Sequence, residues 1–239
     1  LQFKAGFGYS PEQYKMIKKT AFHLNKPDSK GIFVVSFHEK KPFLINDIDE
    51  IEETLSSRSL SFAKLLGTKS FVCCPIICDN ESLGVLAVDN LTSKRPLIQS
   101  DISLIIGVAS ILGICIRNAE LLEAKERQFR SILATLAASI DARDPLTAGH
   151  SERVTEFSLG ICDELKLSKD YREMIQVAAL LHDYGKIGVP DSLLKKPRKL
   201  TPEEFEVIKT HSEKTRSILE QVHFEGIFSQ VPDIAGAHH

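Results

Sequence analysis

The chain has 239 residues, 43% of them hydrophobic and 26% charged, with a formal net charge of −2. Domains typically run to about 100 to 150 residues, so two domains are expected. The near-neutral balance carries neither the basic footprint of a nucleic-acid binder nor an acidic solvating run, which excludes a nucleic-acid polymer as partner and leaves any anionic substrate to metal ions or a few local cations.

Ser10-Pro11 opens the first predicted helix, with proline at the first helical position, and the helix runs to about Leu24. Residues 31–37, 42–47, 70–78 and 82–89 are rich in β-branched and aromatic side chains and are divided by polar turn residues, which predicts strands. Asp79, Asn80 and Glu81 supply a tight turn that joins the last two as a hairpin. A helical piece at 59–66 lies between the second and third strands and is ended by Gly67 in the usual C-cap position. The result is a sheet flanked by helices, an α+β domain. The five cysteines Cys73, Cys74, Cys78, Cys115 and Cys162 are an odd number with no CxxC pair, which predicts free thiols and a cytoplasmic setting. Alternation along a strand makes Cys73, Cys74 and Cys78 packed core thiols rather than sensors or cofactor anchors.

Ser100 with Asp101 makes an N-cap, and no further proline occurs before Pro145. Apolar residues recur at Ile102, Ile105, Ala109, Leu112 and Ile116, then at Phe129, Ile132, Leu133, Leu136 and Ile140, which predicts one long helix or two nearly collinear ones. The polar interval 120–130 is expected to be solvated between two domains, and a break there is the alternative. The uncharged stretch 102–116 has fifteen residues, short of the roughly 18 to 20 that span a bilayer. It is therefore expected to be buried or to pair two copies of the chain as a homodimer, with no membrane span.

Beyond Asp144 the pattern is all helix. Asp144-Pro145 is a boundary, because the residue before proline is biased away from the helical region. Thr147 can cap a helix whose apolar stripe is Val154, Phe157, Ile161 and Leu165. A further helix covers 170–182, and the capping box Thr201-Pro202-Glu203-Glu204 opens one that holds Phe205, Ile208, Leu219 and Val222.

The chemistry gathers in this half. His182-Asp183 ends an otherwise buried helix. A neutral imidazole and an ionised carboxylate are good ligands for iron, manganese or zinc, and the second carboxylate oxygen can bridge two ions. His150 precedes Val154 by four residues and His211 follows Ile208 by three, so both are placed on or beside inward faces, while His238-His239 follows the apolar run 234–237. A single histidine is more often a satisfied core or surface residue, and His23, His38 and His223 are read that way. Several inward imidazoles around one His-Asp pair favour a metal centre. The run His182-Asp183-Tyr184-Gly185-Lys186-Ile187-Gly188 is more specific than the bare pair, since two glycines turn the backbone and Lys186 is placed to reach an anion held on the metals.

Residues 141–154 (DARDPLTAGHSERV), 179–188 (ALLHDYGKIG), 208–213 (IKTHSE) and His238-His239 resemble the successive motifs of the HD-GYP domain, a branch of the HD phosphohydrolases whose members hydrolyse cyclic di-GMP. The resemblance spans 132–239 and implies an all-α HD-type helical domain acting as a metal-dependent phosphodiesterase on cyclic di-GMP. It implies that His150, His182, Asp183, His211, His238 and His239 are metal ligands, with Asp183 bridging. Lys186 would join Asp183 in catalysis by contacting the scissile phosphate or assisting the leaving oxygen. Some members carry a glutamate where this chain has Leu146 and hold three metals, so two divalent ions, iron or manganese, are expected here. The Gly-Tyr-Pro motif and a further aspartate ligand are expected downstream of His239, and with Leu1 in place of a methionine the chain is read as cut at both ends and its site as incomplete. A catalytically silent signalling or interaction module, or an HD hydrolase of another nucleotide, are the alternative readings.

Residues 41–47 (KPFLIND), the strand ending Cys74-Pro75-Ile76, and 83–90 (LGVLAVDN) resemble a GAF domain over 1–120, without its opening helix and strand. That resemblance implies a bacterial sensor for an unidentified small ligand. The expected plan is a GAF-like domain at 1–120, a connecting helix at 121–131 and an HD-GYP-like domain at 132–239.

Overall fold

The computed structural model describes residues 1–25, 31–49, 51, 57–91, 95–143 and 149–239. They form two compact units, Leu1–Glu123 and Ala124–His239.

The first unit opens with α1 (Pro11–Lys19), held by a reciprocal capping box between Ser10 and Gln13. This helix stops short of the expected Leu24, because Thr20 turns extended and Ala21 is drawn into an isolated bridge with Gln2. The expected strand at 31–37 is a helix, α2 (Ile32–Glu39). Its Ile-Phe-Val-Val run favours a strand by composition, but packing decides otherwise. Phe33 sits edge-on to Phe22, Phe62 and Phe71, and the Ser36 hydroxyl donates to the Lys41 carbonyl at 2.8 Å.

Three antiparallel strands follow the expected positions, in the order β1 (Phe43–Ile45), β2 (Phe71–Cys78), β3 (Glu81–Asp89), with α3 (Ser57–Leu66) before β2. The β2–β3 hairpin turns on Asp79 and Asn80, whose φ angles of 49° and 61° are the pair that a tight hairpin requires. Both faces of β2 are buried. Val72, Cys74 and Ile76 pack with Ile102, Ile105 and Ala109, while Phe71 and Cys73 pack with Ile45 and Ile48. Burial accordingly pushes the Cys73 thiol up to about 12, so it is an inert packing group.

A single 43-residue helix, α4 (Gln99–Asp141), replaces the alternative of two helices with a break. Residues 120–130 are exposed throughout. By length and composition alone α4 could cross a membrane, but Ile102, Ile105 and Ala109 are committed to the sheet. Leu104, Val108, Ile111 and Ile114 face outward.

The second unit is helical: the end of α4, α5 (His150–Glu164), α6 (Lys169–Leu181), a 3-10 turn (Tyr184–Gly188), α7 (Asp191–Leu194), α8 (Pro202–Leu219), a second 3-10 turn (Gly226–Gln230) and α9 (Val231–Gly236). Its core joins Leu133 to Met174, Val177, Ala178, Leu181, Leu219, Val231 and Ala235. Fully burying a side chain such as Met174 contributes about 1.5 to 3 kcal/mol.

The expected inward stripe of α5 is wrong: Phe157, Ile161 and Leu165 are 72%, 61% and 64% exposed, and the buried face is Ser151, Thr155 and Cys162. Hydrogen bonds from Ser151 to the buried Asp141 fix the rotation of the helix against its apolar pattern. Val222 is exposed and lies beyond the end of α8, which closes at Glu220. The expected boundary Asp144-Pro145, Leu146 and the cap Thr147 lie outside the described residues; α5 is entered from Gly149.

Candidate metal centre

Four short stretches of backbone bring the predicted side chains together. The buried face of α6, Met174, Val177, Ala178 and Leu181, carries His182 to the edge of the core as the helix ends. At Asp183 the backbone leaves the α-helical region (φ −92°, ψ 5°) and enters the 3-10 turn, so two consecutive side chains serve one space. His211, Thr215 and Leu219 form the buried stripe of α8 at steps of four, behind the Thr201–Glu204 capping box. The buried Val231, Pro232 and Ala235 of α9 anchor the segment that ends in His238 and His239, and His150 is the first residue of α5.

The 3-10 turn lies so close to α8 that residue 185 must be glycine. A Cβ there would stand 1.9 Å from the His211 carbonyl oxygen and 2.4 Å from the Thr215 nitrogen. In that gap the Gly185 N–H donates to Thr215 Oγ1 at 2.7 Å, and the Thr215 hydroxyl donates to the His182 carbonyl at 2.9 Å. One buried hydroxyl thus ties both ends of the His182-Asp183 corner to the helix that carries His211.

The structure gathers His150, His182, Asp183, His211, His238, His239 and Lys186. Their donor atoms fall into two groups, His150 with His182 and Asp183, and His211 with His238 and His239, each with its ligand atoms within 4.8 Å of one another. The Asp183 carboxylate faces both. Oδ2 lies 3.3 Å from His182 Nε2, 3.7 Å from His150 Nε2 and 2.8 Å from Lys186 Nζ. Oδ1 lies 3.2 Å from His211 Nε2 and 3.8 Å from His238 Nε2. His239 joins through His211, with 3.2 Å between their Nε2 atoms.

The ring tautomers follow from the backbone. Nδ1 of His182, His211 and His238 lies 2.6 to 2.7 Å from the carbonyl of Ala179, Ile208 and Ala235, three residues back in each case. A carbonyl only accepts, so each Nδ1 carries the hydrogen and each neutral ring turns a bare Nε2 inward. Such backbone bonds fix a ligating imidazole in orientation and raise its basicity.

Charge tunes the group further. Burial pushes the Asp183 carboxyl up, but the hydrogen bonds it accepts from His182 and His211 when those rings carry a proton on both nitrogens, and from Lys186, outweigh it and hold Asp183 well below the usual carboxylate range. Burial pulls His182 down, yet its bond to Asp183 and that residue's charge leave it raised. His238 is pushed down to about 4 by burial and by its imidazole neighbours, and His239 is lowered by burial and by His211. At neutral pH His238 and His239 are therefore neutral donors, the state a divalent ion needs. Five imidazoles with one shared carboxylate and no thiolate form a donor set that fits such ions.

Three residues were not singled out for a role in the sequence. Thr215 could have been found as the i+4 neighbour of His211 on the same helix face. Asp141 and Arg143 stand in the quoted 141–154 stretch, but their partners are 10 and more than 40 residues away.

A helical unit built around a His-Asp corner with converging imidazoles is what the HD domain family contains, and residues 134–239 match that family, while residues 10–116 match the GAF domain family. The chain is a GAF domain followed by an HD domain. Among curated proteins it is 39% identical over 108 residues to the 3'3'-cGAMP-specific phosphodiesterase 3 of Vibrio cholerae, covering 45% of this chain and 23% of that protein. It is 42% identical over 93 residues to the cyclic di-GMP phosphodiesterase response regulator RpfG of Xanthomonas campestris, covering 39% and 24%. It is 47% identical over 81 residues to the cyclic di-GMP phosphodiesterase of Thermotoga maritima, covering 34% and 22%. The matched stretch thus spans about a quarter of the length of each of these relatives.

Proposed function

We propose that this chain belongs to a metal-dependent phosphodiesterase that hydrolyses a cyclic dinucleotide, with cyclic di-GMP as the first substrate to test. One observation carries the reading: the two oxygens of Asp183 face two different groups of imidazoles. A carboxylate so placed suits a pair of divalent cations, and we take the number as two and the metal as iron or manganese, in keeping with an imidazole and carboxylate donor set. Bound there, such a pair supplies Lewis acidity toward a phosphate and a lowered pKa for the attacking water.

The chain's own residues do the rest. His150, His182, His211, His238 and His239 present nitrogen donors on a scaffold fixed by backbone bonds. Lys186, with its ammonium 2.8 Å from Asp183 Oδ2, is poised to exchange that carboxylate for a phosphate oxygen and to offset charge on the departing sugar oxygen. The relatives support the substrate class, since they comprise cyclic di-GMP and 3'3'-cGAMP phosphodiesterases.

The GAF domain would take a small ligand and regulate the HD domain. We further propose that the chain pairs with a second copy through α4, whose outward Leu104, Val108, Ile111, Leu122, Phe129 and Ile132 fall on the alternating four and three residue steps of a helical seam. The free thiols suit a cytoplasmic setting. The test is hydrolysis of cyclic di-GMP and 3'3'-cGAMP by the intact protein loaded with manganese(II) or iron(II). Metal-dependent turnover supports the reading; metal and nucleotide binding without turnover would make the domain a silent signalling module.

A further inference from the structure

We propose that Asp141 and Arg143, at and just beyond the end of α4, are positioning residues that hold the two turns carrying His150 and Lys186; this rests on the phosphodiesterase reading above. Asp141 ends α4 with its side chain only 6% exposed. Its Oδ2 accepts the Ser151 backbone N–H at 3.2 Å and its Oδ1 accepts the Ser151 hydroxyl at 2.9 Å. That N–H is one of the unpaired amides at the start of α5, and the residue before it is His150. The N-cap, Gly149, has no side chain to satisfy it, so Asp141 supplies the cap from α4, with a negative charge at the favourable end of the helix.

Arg143 grips the other turn. Its Nη1 donates to the carbonyls of Lys186 at 3.1 Å and Ile187 at 2.7 Å, and its Nη2 donates to the Val189 carbonyl at 3.1 Å and to Asp191 Oδ1 at 2.6 Å. These carbonyls close the 3-10 turn whose third residue is Lys186. The planar guanidinium serves several acceptors from one rigid fork, which an ammonium cannot do. The two clamps act on different parts of the site. Asp141 sets a metal-ligand position, whereas Arg143 sets the backbone of Lys186, beyond His182 and Asp183. Because a misplacement of about 1 Å can cost on the order of a hundredfold in rate, each should have its own kinetic signature.

The experiment titrates manganese(II) into the metal-free intact protein, follows it by its electron paramagnetic resonance signal, and measures cyclic di-GMP turnover on the same samples. Asp141→Ala is expected to weaken manganese binding about tenfold or more. Ser151→Ala, which keeps the backbone bond and loses the hydroxyl bond, should show a smaller loss and keeps the proposal open to test if Asp141→Ala does not fold. Arg143→Lys is expected to bind manganese within about twofold of wild type while kcat falls about tenfold to a hundredfold with little change in KM. Combined with Lys186→Ala it should add little further loss, since both changes act on one group. Unchanged manganese affinity in both Asp141→Ala and Ser151→Ala, or parallel loss of metal and activity in Arg143→Lys, would overturn the proposal. A wild-type protein that takes up no manganese would sink the metal-site reading itself, and this inference with it.

Discussion

His211 and His238 meet through their Nε2 atoms, 2.9 Å apart, while the Nδ1 of each is committed to a backbone carbonyl. Two bare lone pairs at that distance repel, and only a proton or a metal cation between them removes the conflict. The repulsion is built in by the backbone: Ile208 and Ala235 choose the tautomers, and α8 and α9 choose the distance.

Replacing His211 with alanine removes a donor from one group and a partner from Asp183 Oδ1 at the same time. Metal content, measured by elemental analysis after reconstitution, should fall by up to about half, because the site keeps only two of its three imidazoles beside the shared Asp183 oxygen and holds its ion more weakly. Full retention of metal would show that His211 is a core histidine.

Lys186→Ala removes the ammonium on Asp183 Oδ2 without touching an imidazole. Turnover of cyclic di-GMP should drop about a hundredfold to a thousandfold, the usual cost of deleting one charge-stabilising donor. Metal content should stay at the wild-type level. Loss of metal in step with activity would reassign Lys186 to holding the carboxylate.

Thr215→Val keeps the shape of a fully buried side chain and deletes its hydroxyl. The Gly185 N–H and the His182 carbonyl then lose their partner, at about 1 to 3 kcal/mol for each buried group left unpaired. Urea unfolding should report a loss of about 2 to 6 kcal/mol for the two groups together, and Thr215→Ser should recover most of it. A neutral Thr215→Val would mean that the corner is held by packing alone.

The folded pKa of His238, about 4, lies below its ordinary value of 6.5. Between those values the unfolded chain takes a proton that the folded chain refuses, so the metal-free protein should lose stability as the pH falls from 6.5 toward 4 and level off below that. The contribution is at most about 3 kcal/mol. His182, whose pKa is raised, works in the opposite direction. The informative comparison is therefore His238→Gln against wild type, in which the variant should show the shallower slope over this window. Identical slopes would contradict the assignment.

The long helix was legible because Ile102, Ile105, Ala109, Leu133 and Ile140 recur at a helical period that agrees with their burial, and α8 because its capping box at Thr201 and Glu204 marks its start. The His182-Asp183 corner was legible because its two chemical groups are neighbours in sequence. What stayed hidden depends on partners distant in the chain. The Ile-Phe-Val-Val run of α2 is strand-like until the rings of Phe22, Phe62 and Phe71 close around Phe33. The rotation of α5 cannot be read from Phe157 and Ile161, because Asp141 turns the polar Ser151 inward and leaves those apolar residues outside. Thr215 looks like an ordinary helical threonine until Gly185 is placed against it.

The account stands or falls on a shared carboxylate between two imidazole groups, and electron paramagnetic resonance of the intact protein loaded with manganese(II) tests this most directly. Two ions per chain with a magnetically coupled spectrum, reduced to uncoupled ions by Asp183→Asn, is the expected result. A wild-type spectrum of a single isolated ion, or no bound manganese at all, would contradict it.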